Sequence, residues 1–138
     1  MFRLTVVTPE RPTFDGECVS VVLPGTEGYL GVLTGHAPLL TAVSPGELRI
    51  TETVGGTPRI LCVSGGFFEV SHNHATLLAE AVEEPSAIDL ERAQEAFERA
   101  RERLSHPEAG LDRVRAEKAY YRAKNRLDIA RRHGKGRS

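Results

Sequence analysis

The chain has 138 residues, enough for one medium domain or a small domain with an appendage, and enough to bury a core without disulfide staples. Trp is absent and aromatic residues make up 6%, so the core must rest on Val, Leu, Ile and Ala. A net charge of −1 excludes a general attraction to nucleic acid, but the charge is uneven: residues 1–85 carry −6 and residues 86–138 carry +5. An acidic front and a basic rear imply two parts with different partners.

The front half reads as strands. Phe2, Leu4 and Val6 alternate with polar residues before Thr8-Pro9. Cys18 to Leu23 is β-branched and stops at Pro24-Gly25; Tyr29 to Leu33 lies between Gly28 and Gly35. Leu48 to Thr53 runs into Gly55-Gly56, and Arg59 to Val63 stops at Ser64-Gly65-Gly66. Phe67 to Val70 and Ala75 to Ala81 flank a polar turn, Ser71-His72-Asn73-His74. Short strands punctuated by Gly and Pro predict a sandwich or barrel. Cys18 and Cys62 form no C-x-x-C pair and are expected as buried, reduced thiols of a cytosolic protein. The sequence has neither the pattern of a signal peptide nor an apolar run near the ~20 residues that span a bilayer, so attachment to a membrane is expected to go through another subunit.

The character changes at Glu83-Glu84-Pro85-Ser86. Pro85 cannot continue a central strand, Ser86 is a candidate N-cap, and Asp89 at its N3 position favours the helix dipole. Leu90, Ala93, Phe97, Ala100 and Leu104 then recur at helical spacing as one apolar stripe. The helix is expected to stop near Ser105-His106-Pro107, with Gly110 completing a turn. A second stripe, Ala116, Tyr120, Ala123, Leu127 and Ala130, leads into a fraying tail, Arg132-His133-Gly134-Lys135-Gly136. Two stripes and a short loop predict an antiparallel helical hairpin. Alanine allows close approach but buries little area, so the hairpin is expected to be weakly held, as a detachable switch requires.

Catalytic constellations are missing. Gly25-x-x-Gly28-x-x-Gly31 lacks the spacing of a dinucleotide fingerprint, and Val63-Ser64-Gly65-Gly66 has Cys62 where a nucleophile elbow carries its first glycine. His72-x-His74 reads as a solvated hairpin tip with no third metal ligand, and His36, among Gly35, Ala37 and Pro38, reads as a structural or interface residue.

The residues from Gly28 to Leu40 (Gly-Tyr-Leu-Gly-Val-Leu-Thr-Gly-His-Ala-Pro-Leu-Leu) resemble the G-x-L-G-[IV]-x-P-x-H-A-P-L segment of bacterial F-type ATP synthase epsilon subunits. Pro45-Gly46-x-Leu48-Arg49-Ile50, Val63-Ser64-Gly65-Gly66-Phe67-Phe68-Glu69-Val70, Thr76-Leu77-Leu78-Ala79-Glu80 and Ile88-Asp89-x-x-Arg92-Ala93 continue the resemblance in order over nearly the whole chain. Two departures stand out: Thr34 replaces the usual proline, and Tyr29 stands where some relatives carry an acidic or polar residue facing the c-ring.

The resemblance implies an α+β protein: a ten-stranded β-sandwich head over residues 1–85 and a two-helix hairpin over residues 86–138. It implies a non-catalytic rotor subunit that needs no cofactor, with the head on the gamma subunit and the c-ring. Tyr29 and His36 would be rotor contacts. The hairpin would restrain ATP hydrolysis when extended, with Arg113, Arg115, Lys118 and Arg122 meeting the beta subunit. Some relatives bind ATP at the folded hairpin; by position the ligand set here would be Glu83, Ile88, Asp89, Arg92, Ala93, Arg99, Arg122 and Arg126, the arginines suiting phosphate oxygens. The chain would then sit on the cytoplasmic face of a bacterial inner membrane, held there by the complex. A free-standing ATP sensor built on the same arginines is the alternative. A nucleic-acid adaptor is disfavoured by the interspersed acids and the absence of a recognition motif.

Overall fold

The computed structural model describes residues 1–106, 108, 110 and 112–134. Contacts divide the chain into two compact units, Met1–Glu83 and Glu84–Ser138. The first unit holds ten strands: β1 (Phe2–Val7), β2 (Pro12–Cys18), β3 (Ser20–Gly25), β4 (Gly28–Leu33), β5 (Leu39–Val43), β6 (Gly46–Thr51), β7 (Arg59–Val63), β8 (Gly66–Ser71), β9 (His74–Ala79) and β10 (Val82–Glu83). The second holds a 3-10 turn, Pro85–Ala87, and two helices, α1 (Leu90–Ser105) and α2 (Arg113–His133).

The strands run in the order β10-β7-β6-β3-β5-β8-β9-β1-β2, with β4 paired to β3. All pairs are antiparallel except β1 with β9. The ladder is thinnest between β3 and β5, where Gly25 opposite Val43 is the whole register and the Ser44 N–H adds a bond to the Pro24 carbonyl at 2.8 Å. At this seam the sheet folds over into a sandwich. Chain connections also pass from one half of the sheet to the other, as at Val19 between β2 and β3, whose N–H bonds the Thr51 carbonyl at 2.8 Å. The inward residues of each strand, Phe2, Leu4 and Val6, Val21 and Leu23, Leu48 and Ile50, Phe68 and Val70, Ala75 and Leu77, make one core. It is built from aliphatic residues and two phenylalanines, as a chain without Trp requires.

Three strands escaped the sequence reading. β2 (Pro-Thr-Phe-Asp-Gly-Glu-Cys) contains Pro and Gly and is an edge strand, where its missing alternation is tolerated. β5 opens directly after Pro38, and β10 is two residues long. Pairing with β8 and β7 decides both. Conversely, Pro24 and Gly25 do not end β3 but belong to it, because they pair with Tyr29 and Gly28 on β4.

The expected N-cap at Ser86 is not the cap. Ser86 sits inside the 3-10 turn; Ile88 then swings to an extended conformation (φ −75°, ψ 124°) that buries its side chain. Asp89 caps α1, its carboxylate accepting from the Arg92 N–H at 3.2 Å. Asp112 caps α2 in the same way, accepting from the Arg115 N–H at 3.1 Å. The α1 stripe begins at Ala93, fully buried, whereas Leu90 stands at the surface. In α2 the expected stripe is buried at Ala116, Ala123, Leu127 and Ala130, with Ile129 buried as well. Phe97 meets Tyr120 across the hairpin with ring centroids 5.4 Å apart. The expected fray at Arg132 and His133 is helix, closed by the Gly134 N–H on the Ala130 carbonyl; Pro107, Lys135 and Gly136 lie outside the described residues.

Both thiols are buried and unpaired with each other. Burial pushes the Cys18 thiol up to about 11, with the Glu52 and Glu17 carboxylates adding to the effect. A thiol whose folded value is raised stabilises the fold below its unfolded value, near 9.0, and that contribution is lost as pH rises toward 11. Cys18 is therefore expected to resist alkylation at pH 8 in the folded chain and to label rapidly in denaturant, as mass spectrometry would read.

Gly66 opens β8 at φ 151°, and a Cβ there would collide with the Leu78 carbonyl oxygen. The backbones of β8 and β9 approach too closely for any side chain. Gly66→Ala is expected to destabilise the head by about 3 kcal/mol, read as a lower denaturant midpoint.

Candidate functional site

A strand with one buried face needs an apolar residue at every second position. Several strands of the head carry apolar doublets instead, among them Leu39-Leu40, Phe67-Phe68 and Leu77-Leu78. Phe68 and Leu77 fill the core, which throws their neighbours outward. Leu40 is 70% exposed, Phe67 62% and Leu78 55%. Ladder register sets them side by side: Ala42 faces Phe67, Phe67 faces Leu78, and Leu78 faces Val7. This apolar row crosses β5, β8, β9 and β1 on the outside of the sandwich. The next row out, Leu40, Glu69, Thr76 and Thr5 in register, is polar apart from Leu40. At its end the Thr5 hydroxyl donates to Asp15 at 3.3 Å and meets His74 Nε2 at 3.2 Å. The Arg3 guanidinium hydrogen-bonds the same Asp15 at 2.8 Å and holds its carboxyl below the usual range. The sequence reading missed this face, although the doublets announce it.

Tyr29 and His36, the two expected rotor contacts, sit at opposite ends of β4. Tyr29 is the second residue of the strand and is more than half exposed, yet its hydroxyl accepts the Glu47 N–H at 2.9 Å. The ring crosses Gly46, where a Cβ would meet the Tyr29 hydroxyl at 2.8 Å. His36 lies beyond the other end, in a turn closed by its N–H on the Leu33 carbonyl at 3.1 Å. Its Nδ1 lies 2.6 Å from the Ala37 carbonyl oxygen, so the ring is fixed against its own loop. Between them β4 interposes the length of a strand, at about 3.3 Å per residue.

On the hairpin, geometry sorts the cations. Arg131 Nη2 donates to Gln94 Oε1 at 2.6 Å, Gln94 Nε2 to Glu98 Oε1 at 2.8 Å, and Arg101 Nη2 to Glu98 Oε2 at 2.6 Å. These bonds mark one side of the helix pair. At about 100° per residue, Arg92 and Arg99 of α1 fall on the other side, and so do Arg122 and Arg126 of α2. Arg92 and Arg99 are exposed; Arg122 and Arg126 are half-buried. Among the remaining members of the expected ATP set, Asp89 is the helix cap, and Ile88 and Ala93 are buried packing residues. Glu83 belongs to the head, on β10 opposite Cys62. Of the four cations expected to meet a beta subunit, Arg115, Lys118 and Arg122 share one face of α2. Arg113 turns to the opposite side, where it pairs with Glu117 at 3.1 Å.

A ten-stranded sandwich with an apolar external row, followed by an alanine-rich helical hairpin with arginines on one side, defines a two-part protein with one apolar and one cationic surface. Its relatives place it further. Residues 1–85 match the model of the ATP synthase delta/epsilon chain β-sandwich domain, and residues 86–131 that of the long α-helix domain. The chain belongs to the ATP synthase delta/epsilon family. It is 50% identical over 103 residues to the ATP synthase epsilon chain of Carboxydothermus hydrogenoformans, covering 75% of each chain. It is 45% identical over 133 residues to that of Brevibacillus brevis, covering 95% of this chain and all of the relative. A chain in the structure of the Euglena gracilis mitochondrial ATP synthase (OSCP, F1 and c-ring) superposes with a TM-score of 0.79 at 26% identity, over 92% of this chain and 79% of that one. Among the described residues no helix is long and apolar enough to cross a membrane.

Tyr29→Phe removes the acceptor for the Glu47 N–H and little else. It is expected to lower stability by about 1 kcal/mol in denaturant unfolding while leaving the strand register intact.

Proposed function

We propose that this chain is a non-catalytic rotor subunit of a proton-translocating F-type ATP synthase, in which the head docks on the gamma subunit and c-ring and the hairpin restrains ATP hydrolysis. The observation that carries this reading is the apolar row of Ala42, Phe67 and Leu78 with Leu40 beside it. A contiguous apolar face on a small soluble head is normally covered by a partner. That face belongs to the same sandwich that, in the Euglena relative, is part of an assembly containing F1 and c-ring. Membrane association then comes from the complex, on the cytoplasmic face of a bacterial inner membrane.

The hairpin supplies the regulatory half of the reading. Among the described residues its buried positions are alanines with Leu127 and Ile129, and one aromatic contact and a short chain of polar bonds join the helices, so parting them exposes less apolar area than a leucine-lined seam would. Arg92, Arg99, Arg122 and Arg126 on one side suit the phosphates of ATP, and a ligand held by both helices favours the folded hairpin. Extended, the Arg115, Lys118 and Arg122 face offers charge to an acidic surface of the beta subunit.

The test is ATP hydrolysis by the matching catalytic complex lacking this subunit, with either the full chain or a truncation after Pro85 added back. The full chain is expected to bind and inhibit, and the truncation to bind without inhibiting. Calorimetry with ATP is expected to give a signal for the full chain that falls at least about tenfold in affinity in Arg92→Ala/Arg99→Ala. Binding by neither version would overturn the subunit assignment; binding without inhibition by either would overturn the regulatory role.

A further inference from the structure

The tip of the β8–β9 hairpin is a two-residue turn between Ser71 and His74, with His72 at φ 51° and Asn73 at φ 56°. Both central residues of such a type I′ turn need positive φ, and the second position favours glycine. Here it holds Asn73, which tolerates the left-handed region but gains nothing over glycine in the turn itself. Its side chain is used elsewhere. Asn73 Oδ1 accepts the Gly35 N–H at 2.7 Å, 38 residues away in sequence, while the Asn73 carbonyl accepts the Arg3 N–H at 3.0 Å.

Gly35 is the third residue of the Leu33–His36 turn, and its φ of 83° is the positive value that position i+2 of a type II turn demands. Position i+1 is Thr34, which lacks the pre-set φ that proline would bring. The amide at i+2 has no partner within the turn, so the turn's own closure, the His36 N–H on the Leu33 carbonyl, leaves it unsatisfied. The Asn73 side chain satisfies that amide and ties the loop to the rigid β8–β9 ladder. From this loop His36 is presented and β5 begins, bringing Leu40 to the edge of the apolar face.

We propose that Asn73 is a positioning residue for partner binding: its Oδ1 bond to Gly35 holds the Thr34–Pro38 loop, and with it His36, in the conformation that docks on the rotor. This rests on the rotor reading above. The bond replaces, from outside the turn, the stiffness that Thr34 does not give from inside.

Asn73→Gly separates this role from folding, because glycine fits the turn at least as well as asparagine. Asn73→Asp keeps an acceptor oxygen and the tolerance for positive φ. The full-length chain is measured two ways: hydrogen exchange at the Gly35 amide, and equilibrium binding to the rotor complex lacking this subunit. Asn73→Gly is expected to exchange at least about tenfold faster at Gly35 and to bind about fivefold more weakly, with its unfolding midpoint unchanged; Asn73→Asp restores both. Wild-type exchange at Gly35 in Asn73→Gly overturns the anchor, and wild-type affinity despite faster exchange overturns its part in docking. If the wild-type chain itself fails to bind, the rotor reading falls, and the exchange result still decides the anchor.

Discussion

Backbone meets backbone where β8 enters the sandwich, and nothing larger than a hydrogen fits between Gly66 and the Leu78 carbonyl. That approach sets the phase of β8 against β9. Side chains alternate with period two along a strand, so the phase decides which member of each apolar doublet is buried. With Gly66 opposite Ala79, Phe68 and Leu77 point into the core, and Phe67 and Leu78 stand together outside. A slip of one residue would exchange the two sets and dissolve both the core and the external apolar row. Gly46 serves the neighbouring corner in the same manner, leaving room for Pro24 and for the Tyr29 hydroxyl that anchors the start of β6.

The hairpin obeys a different physics. The head is held by a continuous aliphatic core, whereas the helices bury alanines together with Leu127 and Ile129, and Phe97 packs on Tyr120. Their polar bonds at the surface, such as Arg113 to Glu117 and Lys124 to Asp128, contribute a few tenths of a kcal/mol each. Aspartate caps at Asp89 and Asp112 start each helix independently of the other.

Charge follows the same division. The head's polar row is self-paired through Arg3, Thr5, Asp15 and His74, leaving its apolar row as the face available to a partner. On the hairpin, Arg131, Gln94, Glu98 and Arg101 are bonded to one another along one side, whereas Arg92 and Arg99 stand exposed on the other. Burial, pairing and exposure thus separate a surface suited to apolar docking from one suited to phosphate or carboxylate.

Local chemistry carried much of this into the sequence. Alternation in β1, glycine punctuation between strands and the 3–4 spacing of apolar residues in both helices each follow from period and propensity. They pointed to a sandwich or barrel followed by a helical hairpin and placed the arginines on the helices; the sandwich itself was implied by the family resemblance. What the sequence left open depended on contacts distant in the chain. Ser86 and Asp89 are both good caps in isolation, and burial of Ile88 chose Asp89. The edge strand β2 and the short β10 exist because β1 and β7 offer them ladders. The outward turn of Phe67 and Leu78, and the reach of Asn73 to Gly35, are matters of register and loop approach. Period and propensity act over a few residues and are written along the chain, whereas register, close backbone approach and side-chain partners arise only once distant segments are brought together.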